Sequence, residues 1–257
     1  GGNRSDDRQI WIYDIVSESL RQLSFEGGHR GVWSPDGRHV AYSSEGAETS
    51  GEDLWIHPSD GGSDPIHLDL GIAGDEHAEE WALDSVLVFS TGGDLYAVNP
   101  FAQEPQAYPW VEAEYGEFDF DLDPSGRFAV YASVEFDRPE IFVRDFPTPQ
   151  GKWRISSEGG IRPMWSGDGQ SILYTSLDNS SIIRVDLEVG SGVVPLGREV
   201  VWRANQFGRW DLDRNTGRAV ATVPAETGPS DDGPATNQFW IVVNWFEELR
   251  RLTGQAP

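Results

Sequence analysis

One turn, flanked by short apolar runs, recurs along this chain at nearly even spacing. It opens as "VWSPDGRHVAYSS" from Val32, and its relatives are "WALDSVLVFS" from Trp81, "LDPSGRFAVYAS" from Leu122, "WSGDGQSILYTS" from Trp165 and "LDRNTGRAVATV" from Leu212. The apolar residues that lead into the turns, Trp33, Trp81, Leu122, Trp165 and Leu212, are 48, 41, 43 and 47 residues apart. A period of about 40–50 residues that holds several short strands is the pattern of a β-propeller.

Each unit reads alike. A strand ends at the apolar anchor and a tight turn follows: Pro35-Asp36-Gly37, Pro124-Ser125-Gly126 or Gly167-Asp168-Gly169. Pro presets φ and Gly accepts a positive φ, so the chain can reverse there. An alternating strand comes next, with Val40 and Tyr42, Phe128 and Val130, or Ile172 and Tyr174 on one face. A third strand has a polar–aliphatic–aromatic start, as in "QIWIYD", "DLWIH", "DLYAV", "EIFVRD" and "QFWIVV", with "SIIRVD" lacking the aromatic. A weaker fourth strand closes the unit. Four antiparallel strands make a blade, and the aromatics are expected to fill the space between blade faces.

Five first-plus-second hairpins stand against six third strands. The pattern therefore predicts one all-β domain over residues 1–257, a six-bladed ring with an incomplete first blade. A polar linker spans 1–8 and a half blade 9–30, with blades near 31–75, 76–112, 113–158, 159–203 and 204–257. A five-bladed ring with a strand left over is the alternative. The tail "NWFEELRRL" changes period, with Trp245, Leu249 and Leu252 on one side and Glu247 four before Arg251, which predicts a short helical or irregular segment.

The turn "WSPDGRHVAYSS" resembles the repeat of TolB-like (WD-repeat-related) propellers. The passage "RPEIFVRDFPTPQGKWRISSEGGIRPMWSGDG", Arg138 to Gly169, and the tail "FWIVVNWFEELRRL", Phe239 to Leu252, resemble the C-terminal propeller of bacterial receptor-type serine/threonine kinases. In that family a kinase domain, usually followed by a membrane helix, precedes one or two such propellers. The resemblance implies a signalling protein and an extracytoplasmic place for this part of it. The turn at Leu83-Asp84-Ser85 departs from the pattern by lacking Pro and Gly, and Arg214-Asn215-Thr216-Gly217 by being one residue longer. No Gly-rich phosphate loop, His-Arg-Asp or Asp-Phe-Gly occurs, so phosphotransfer is not carried by these residues.

Charge narrows the partners. There are 43 acidic and 19 basic residues, a net charge of −24. Such a surface repels phosphate backbones, which excludes nucleic acid, and it is either simply solvated or cation-binding. Cysteine is absent, which removes disulfides, thiolate metal sites and cysteine nucleophiles. No apolar run approaches the ~20 residues of a membrane helix, and no Gly-x-Ser-x-Gly elbow occurs.

His29 and His77 each precede their anchor Trp by four residues, so they hold equivalent positions in the loops entering adjacent inner strands. With Glu79 or Glu80 they could bind a divalent metal or an anionic ligand group at the channel mouth. His39, His57 and His67 fall in outer strands and are expected at the surface. Asp119, Asp121 and Asp123 alternate, as do Asp211, Asp213 and Asn215. Neither run has the Gly and Glu that a helix–loop–helix calcium loop needs, so the last Asp of each is expected to cap its turn. These readings converge on a non-catalytic binding or docking propeller for a protein or small-molecule ligand, with no cofactor beyond a divalent cation. The alternatives are a propeller enzyme, a metal-dependent lyase or lactonase, and the accessory propeller of a peptidase.

Overall fold

A computed structural model describes residues 8–14, 16–45, 51–83, 85–203, 208, 210–214 and 218–221. Every regular element among them is a strand. The longer turn at Asn215–Gly217, Asp84, the strand from Gln238 and the tail from Trp245 to Leu252 lie outside the described residues.

The strands fall into antiparallel sheets that follow chain order. β1 (Trp11–Asp14) pairs with β2 (Ser19–Gln22). β3 (His29–Trp33), β4 (His39–Glu45), β5 (Glu52–Pro58) and β6 (Ile66–Leu68) form one four-stranded sheet. The next holds β7 (His77–Ala82), β8 (Val86–Thr91), β9 (Asp94–Val98) and β10 (Tyr108–Val111). The third holds β11 (Glu117–Leu122), β12 (Phe128–Ser133), β13 (Glu140–Asp145) and β14 (Lys152–Arg154). The fourth holds β15 (Ile161–Trp165), β16 (Ser171–Thr175), β17 (Ser181–Val189) and β18 (Val193–Arg203), and β19 (Trp210–Asp213) pairs with β20 (Arg218–Ala221). Each complete sheet is therefore one four-stranded meander, its strands joined in chain order with no crossover. β1 and β2 match third and fourth strands, and β19 and β20 match first and second strands. The chain packs as two compact units, residues 1–121 with 133–135 and 146–149, and residues 122–132, 136–145 and 150–257.

The recurring turn owes its shape to side chains that replace missing backbone partners. In the first, Ser34 N–H donates to His39 C=O and Gly37 N–H to Ser34 C=O. The Ser34 hydroxyl accepts His39 N–H and donates to Asp36, which in turn accepts Arg38 N–H. Ser166, Asp168 and Gly169 repeat this arrangement. So do Ser176, Asp178 and Asn179, in a hairpin that the sequence pattern did not single out. In the turn after β11, Asp123 alone does the work, accepting the N–H groups of Ser125, Arg127 and Phe128. Gly37, Gly126 and Gly169 sit at φ of 69°, 71° and 65°, and Asn179 takes the same region at 56°. Pro35 and Pro124 stand at the position before the turn centre, where their fixed φ suits the reversal.

The core lies between sheet faces. Ala41, Leu54, Ile56 and Leu68 from the β3–β6 sheet pack with Ala78, Trp81, Leu87, Phe89 and Val98 from the β7–β10 sheet. Each large side chain buried there contributes roughly 1.5–3 kcal/mol. The anchors Trp81, Leu122, Trp165 and Leu212 are buried as expected. Trp33 is not; it is 51% exposed. The piece that precedes its sheet supplies only β1 and β2, so among the described residues no inner strand covers it.

Candidate functional site

β3 and β5 both pair antiparallel with β4, so they run the same way and their first residues share one end of the sheet. Those residues are His29 and Glu52. His77 is the first residue of β7 in the adjoining sheet, and Glu76 N–H donates to Glu52 C=O at 2.7 Å, which ties the strand starts together. Asp75 accepts Glu52 N–H at 3.1 Å.

The equal register of His29 and His77 brings their rings to a centroid separation of 5.8 Å. The carboxylate beside them is Glu52, not Glu79 or Glu80. Glu52 Oε2 lies 2.8 Å from His29 Nε2 and 3.2 Å from His77 Nδ1. One ligating atom from each residue lies within 4.8 Å of the others. The side chains are 14%, 15% and 30% exposed for His29, Glu52 and His77. Burial lowers the pKa of His77, the Arg30 charge lowers it further, and Glu52 opposes both.

Glu79 and Glu80 go elsewhere because the inner strand bulges. The register of β7 shifts between Ala78 and Glu80, and that of β3 between His29 and Val32. Arg30, at the β3 bulge, has φ 52°. A bulge re-aims the side chains that follow it. Glu79 thereby meets Arg30 at 3.1 Å and accepts the Ser90 hydroxyl at 2.6 Å. Its side chain is 4% exposed. Burial pushes the carboxyl up to about 7 against the opposing pull of Arg30 and Ser90, with Asp119 adding repulsion. Glu80 is half-buried on the same strand, opposite Val88.

The other histidines divide. His67 stacks on Trp55 and lies 2.9 Å from Asp53 at the surface. His39 is half-buried against Phe101, with ring centroids 4.9 Å apart. His57 is buried, contrary to expectation; its Nε2 lies 3.1 Å from Ser63 C=O, in the segment that returns after β5. The alternating Asp run does not share one face. Asp119 has φ 56°, which breaks the alternation, Asp121 is buried, and Asp123 caps its turn.

A second feature escaped the sequence pattern altogether. A cavity of 390 Å³ lies between the segment after β2 and strands β4 and β5. Its wall combines the aromatic rings of Phe25, Tyr42 and Trp55 with the carboxylates of Glu26, Glu45 and Asp64. Burial and the charge of Glu26 push the Tyr42 phenol up to about 12, so it stays a neutral O–H group. The residues come from four separate places in the chain, and no local motif links them.

Neither a family model nor a curated protein sequence matches the chain. Solved structures do. The chain is similar to a TolB protein from Agrobacterium tumefaciens, at 18% identity over 83% of this chain and 76% of that one, with a TM-score of 0.66. It is similar to the β-propeller domain of Cps50 (Swd1) from Myceliophteria thermophila, at 11% identity over 84% and 74%, TM-score 0.61. A Bacteroides fragilis protein named a 6-phosphogluconolactonase matches at 11% identity over 86% and 71%, TM-score 0.57. At such identities the likeness shows the fold alone: this chain has a β-propeller fold, similar to that of TolB. Among the described residues no helix is long and apolar enough to cross a membrane.

Proposed function

We propose that this propeller is a non-catalytic docking domain of a larger bacterial signalling protein, and that it receives a basic segment of a partner polypeptide. The observation that carries this reading is the 390 Å³ cavity, in which aromatic rings and three carboxylates share one wall. An arginine or lysine side chain fits that chemistry. Its charge pairs with the carboxylates, and its head group lies over aromatic faces for roughly 0.5–2 kcal/mol. The net charge of −24 adds long-range attraction for a cationic partner. A rigid β framework that holds variable segments at its rim suits recognition. The enzyme alternative draws on the His29–His77 pair, and the likeness to a protein named a lactonase carries only the architecture to this chain.

Fluorescence anisotropy with a labelled arginine-containing peptide, against the same peptide with glutamate in its place, tests the docking reading. The arginine peptide is expected to bind, more weakly as salt rises. Glu26→Lys and Trp55→Ala should each weaken it at least tenfold relative to Glu104→Lys, which alters net charge equally at an exposed site outside the cavity. Equal loss in Glu26→Lys and Glu104→Lys would reduce the effect to bulk charge and overturn the proposal.

A further inference from the structure

We propose that His29, Glu52 and His77 hold a divalent transition-metal ion of the zinc or nickel class. This goes beyond the docking reading and does not depend on it, since it uses different residues. His29 Nε2, Glu52 Oε2 and His77 Nδ1 are the three atoms concerned. Nitrogen and oxygen ligands at ~2.0–2.1 Å from a tetrahedral ion lie about 3.4 Å from one another. The distances of 2.8 and 3.2 Å from the carboxylate oxygen fall just inside that value, and all three atoms lie within 4.8 Å of one another. Small rotations of the side chains would bring them onto one ion.

The hydrogen bonding sharpens the case. A histidine and a glutamate this close ordinarily share a proton along the ring nitrogen's in-plane direction. Here none of the three atoms has hydrogen-bond geometry with any protein group, although each is cut off from solvent. Leaving buried polar atoms unmatched costs ~1–3 kcal/mol apiece. Three such atoms gathered at one point have lone pairs that a single cation can satisfy together. The rest of the surroundings keeps them in place. Asp75 and Glu76 fix the backbone of Glu52, and the Arg30 guanidinium is engaged by Glu79 at 3.1 Å.

The donor set selects the metal. Two imidazoles and one carboxylate suit zinc, nickel or copper, whereas magnesium and calcium prefer oxygen ligands throughout. Three protein ligands leave a coordination position over, as in sites where a water or a ligand group completes the shell. His77 is the most exposed of the three, so an ion would be reached from its side.

Calorimetric titration of the chelator-treated full chain with zinc and nickel salts tests this, beside magnesium and calcium. One equivalent of zinc or nickel should bind, and neither magnesium nor calcium should. His29→Ala and His77→Ala should each lose more than the roughly 100-fold in affinity that removal of an outer-sphere partner costs. Glu52→Gln should weaken binding at least tenfold, and His39→Ala should change nothing. X-ray absorption of the zinc-loaded protein should show two imidazoles in the first shell; this reads the unaltered chain and stands even if a variant fails to fold. Absence of stoichiometric binding by the folded wild type, or binding that persists in the His29→Ala, His77→Ala double variant, would overturn the site.

Discussion

Glu140→Gln probes how much of the third sheet rests on one buried carboxylate. Glu140, at the first position of β13, has a side chain with no exposure to solvent. Its Oε1 accepts Arg138 Nε and Arg154 Nη2, both at 2.9 Å, and its Oε2 accepts the Ser156 hydroxyl and, at 3.0 Å, Gly159 N–H. Burial alone would raise its pKa. The bonds from Ser156, Arg138, Gly159 and Arg154 outweigh that and hold it below the ordinary value of 4.5. A glutamine of the same shape cannot accept at both ends. Its amide nitrogen is best placed at the Oε2 side, where Ser156 can turn, and Gly159 N–H is then a buried donor without an acceptor, at ~1–3 kcal/mol. The two guanidiniums, 48% and 36% exposed, lose a charged partner that solvent already screens, which adds about 1 kcal/mol in all. The total is about 2–4 kcal/mol. With a urea slope of roughly 3 kcal/mol/M, the unfolding midpoint at pH 7 should fall by about 1 M. A carboxyl whose folded pKa is depressed stabilises above its unfolded value and loses that contribution as pH falls through the folded one. The gap between wild type and Glu140→Gln should therefore close as pH drops below about 4.5. A midpoint change under about 0.3 M, or a gap that persists on acidification, would refute the reasoning.

Two glycines should respond differently to alanine. Gly37, at φ 69° with nothing within 4 Å of an added methyl, should lose only about 1 kcal/mol for backbone strain, whereas at Gly160 a Cβ would stand 2.6 Å from Tyr174 and 2.9 Å from Ile141, so overpacking should cost up to about 3 kcal/mol; urea midpoints of the two variants check the order. Asp178, held down by the Ser176 hydroxyl and by Ser180, should titrate near 2 in a carbon-detected NMR pH series, and Ser176→Ala should move it back toward 3.8.

The fold was legible because a propeller writes itself many times. The anchors, the Pro–Gly turns and the third strands each recur, so a weak local signal gains weight from repetition. The pattern failed where repetition failed. Trp33 reads like Trp81 and Trp165, but its sheet follows a two-stranded piece, and exposure depends on what the neighbour covers rather than on the residue's own register. His57 reads as a surface residue of an outer strand, yet its ring is buried, with Nε2 against Ser63 C=O in the segment after β5, a contact that strand assignment alone does not show. The aromatic and acidic cavity could not be read at all, since nothing in the sequence sets Phe25 beside Trp55.

The histidine pair shows where register stops and hairpin length takes over. Counting back from the anchors aligns His29 with His77, and the fold brings the rings together. The same counting offered Glu79 and Glu80 as the carboxylate, but it assumes plain alternation, and the β7 bulge turns Glu79 toward Arg30. Glu52 arrives by another route. "DLWIH" aligns with "DLYAV", so Asp53 corresponds to Asp94. In the second sheet the β8–β9 hairpin ends at the pair Thr91 and Asp94, closed by Gly92 and Gly93. In the first sheet the β4–β5 hairpin runs one pair further, to Glu45 and Glu52. That single added pair carries a carboxylate to the end of the sheet where both rings lie. A β4–β5 hairpin cut back to the length of its neighbour would leave the two imidazoles in register and remove the carboxylate of the proposed site.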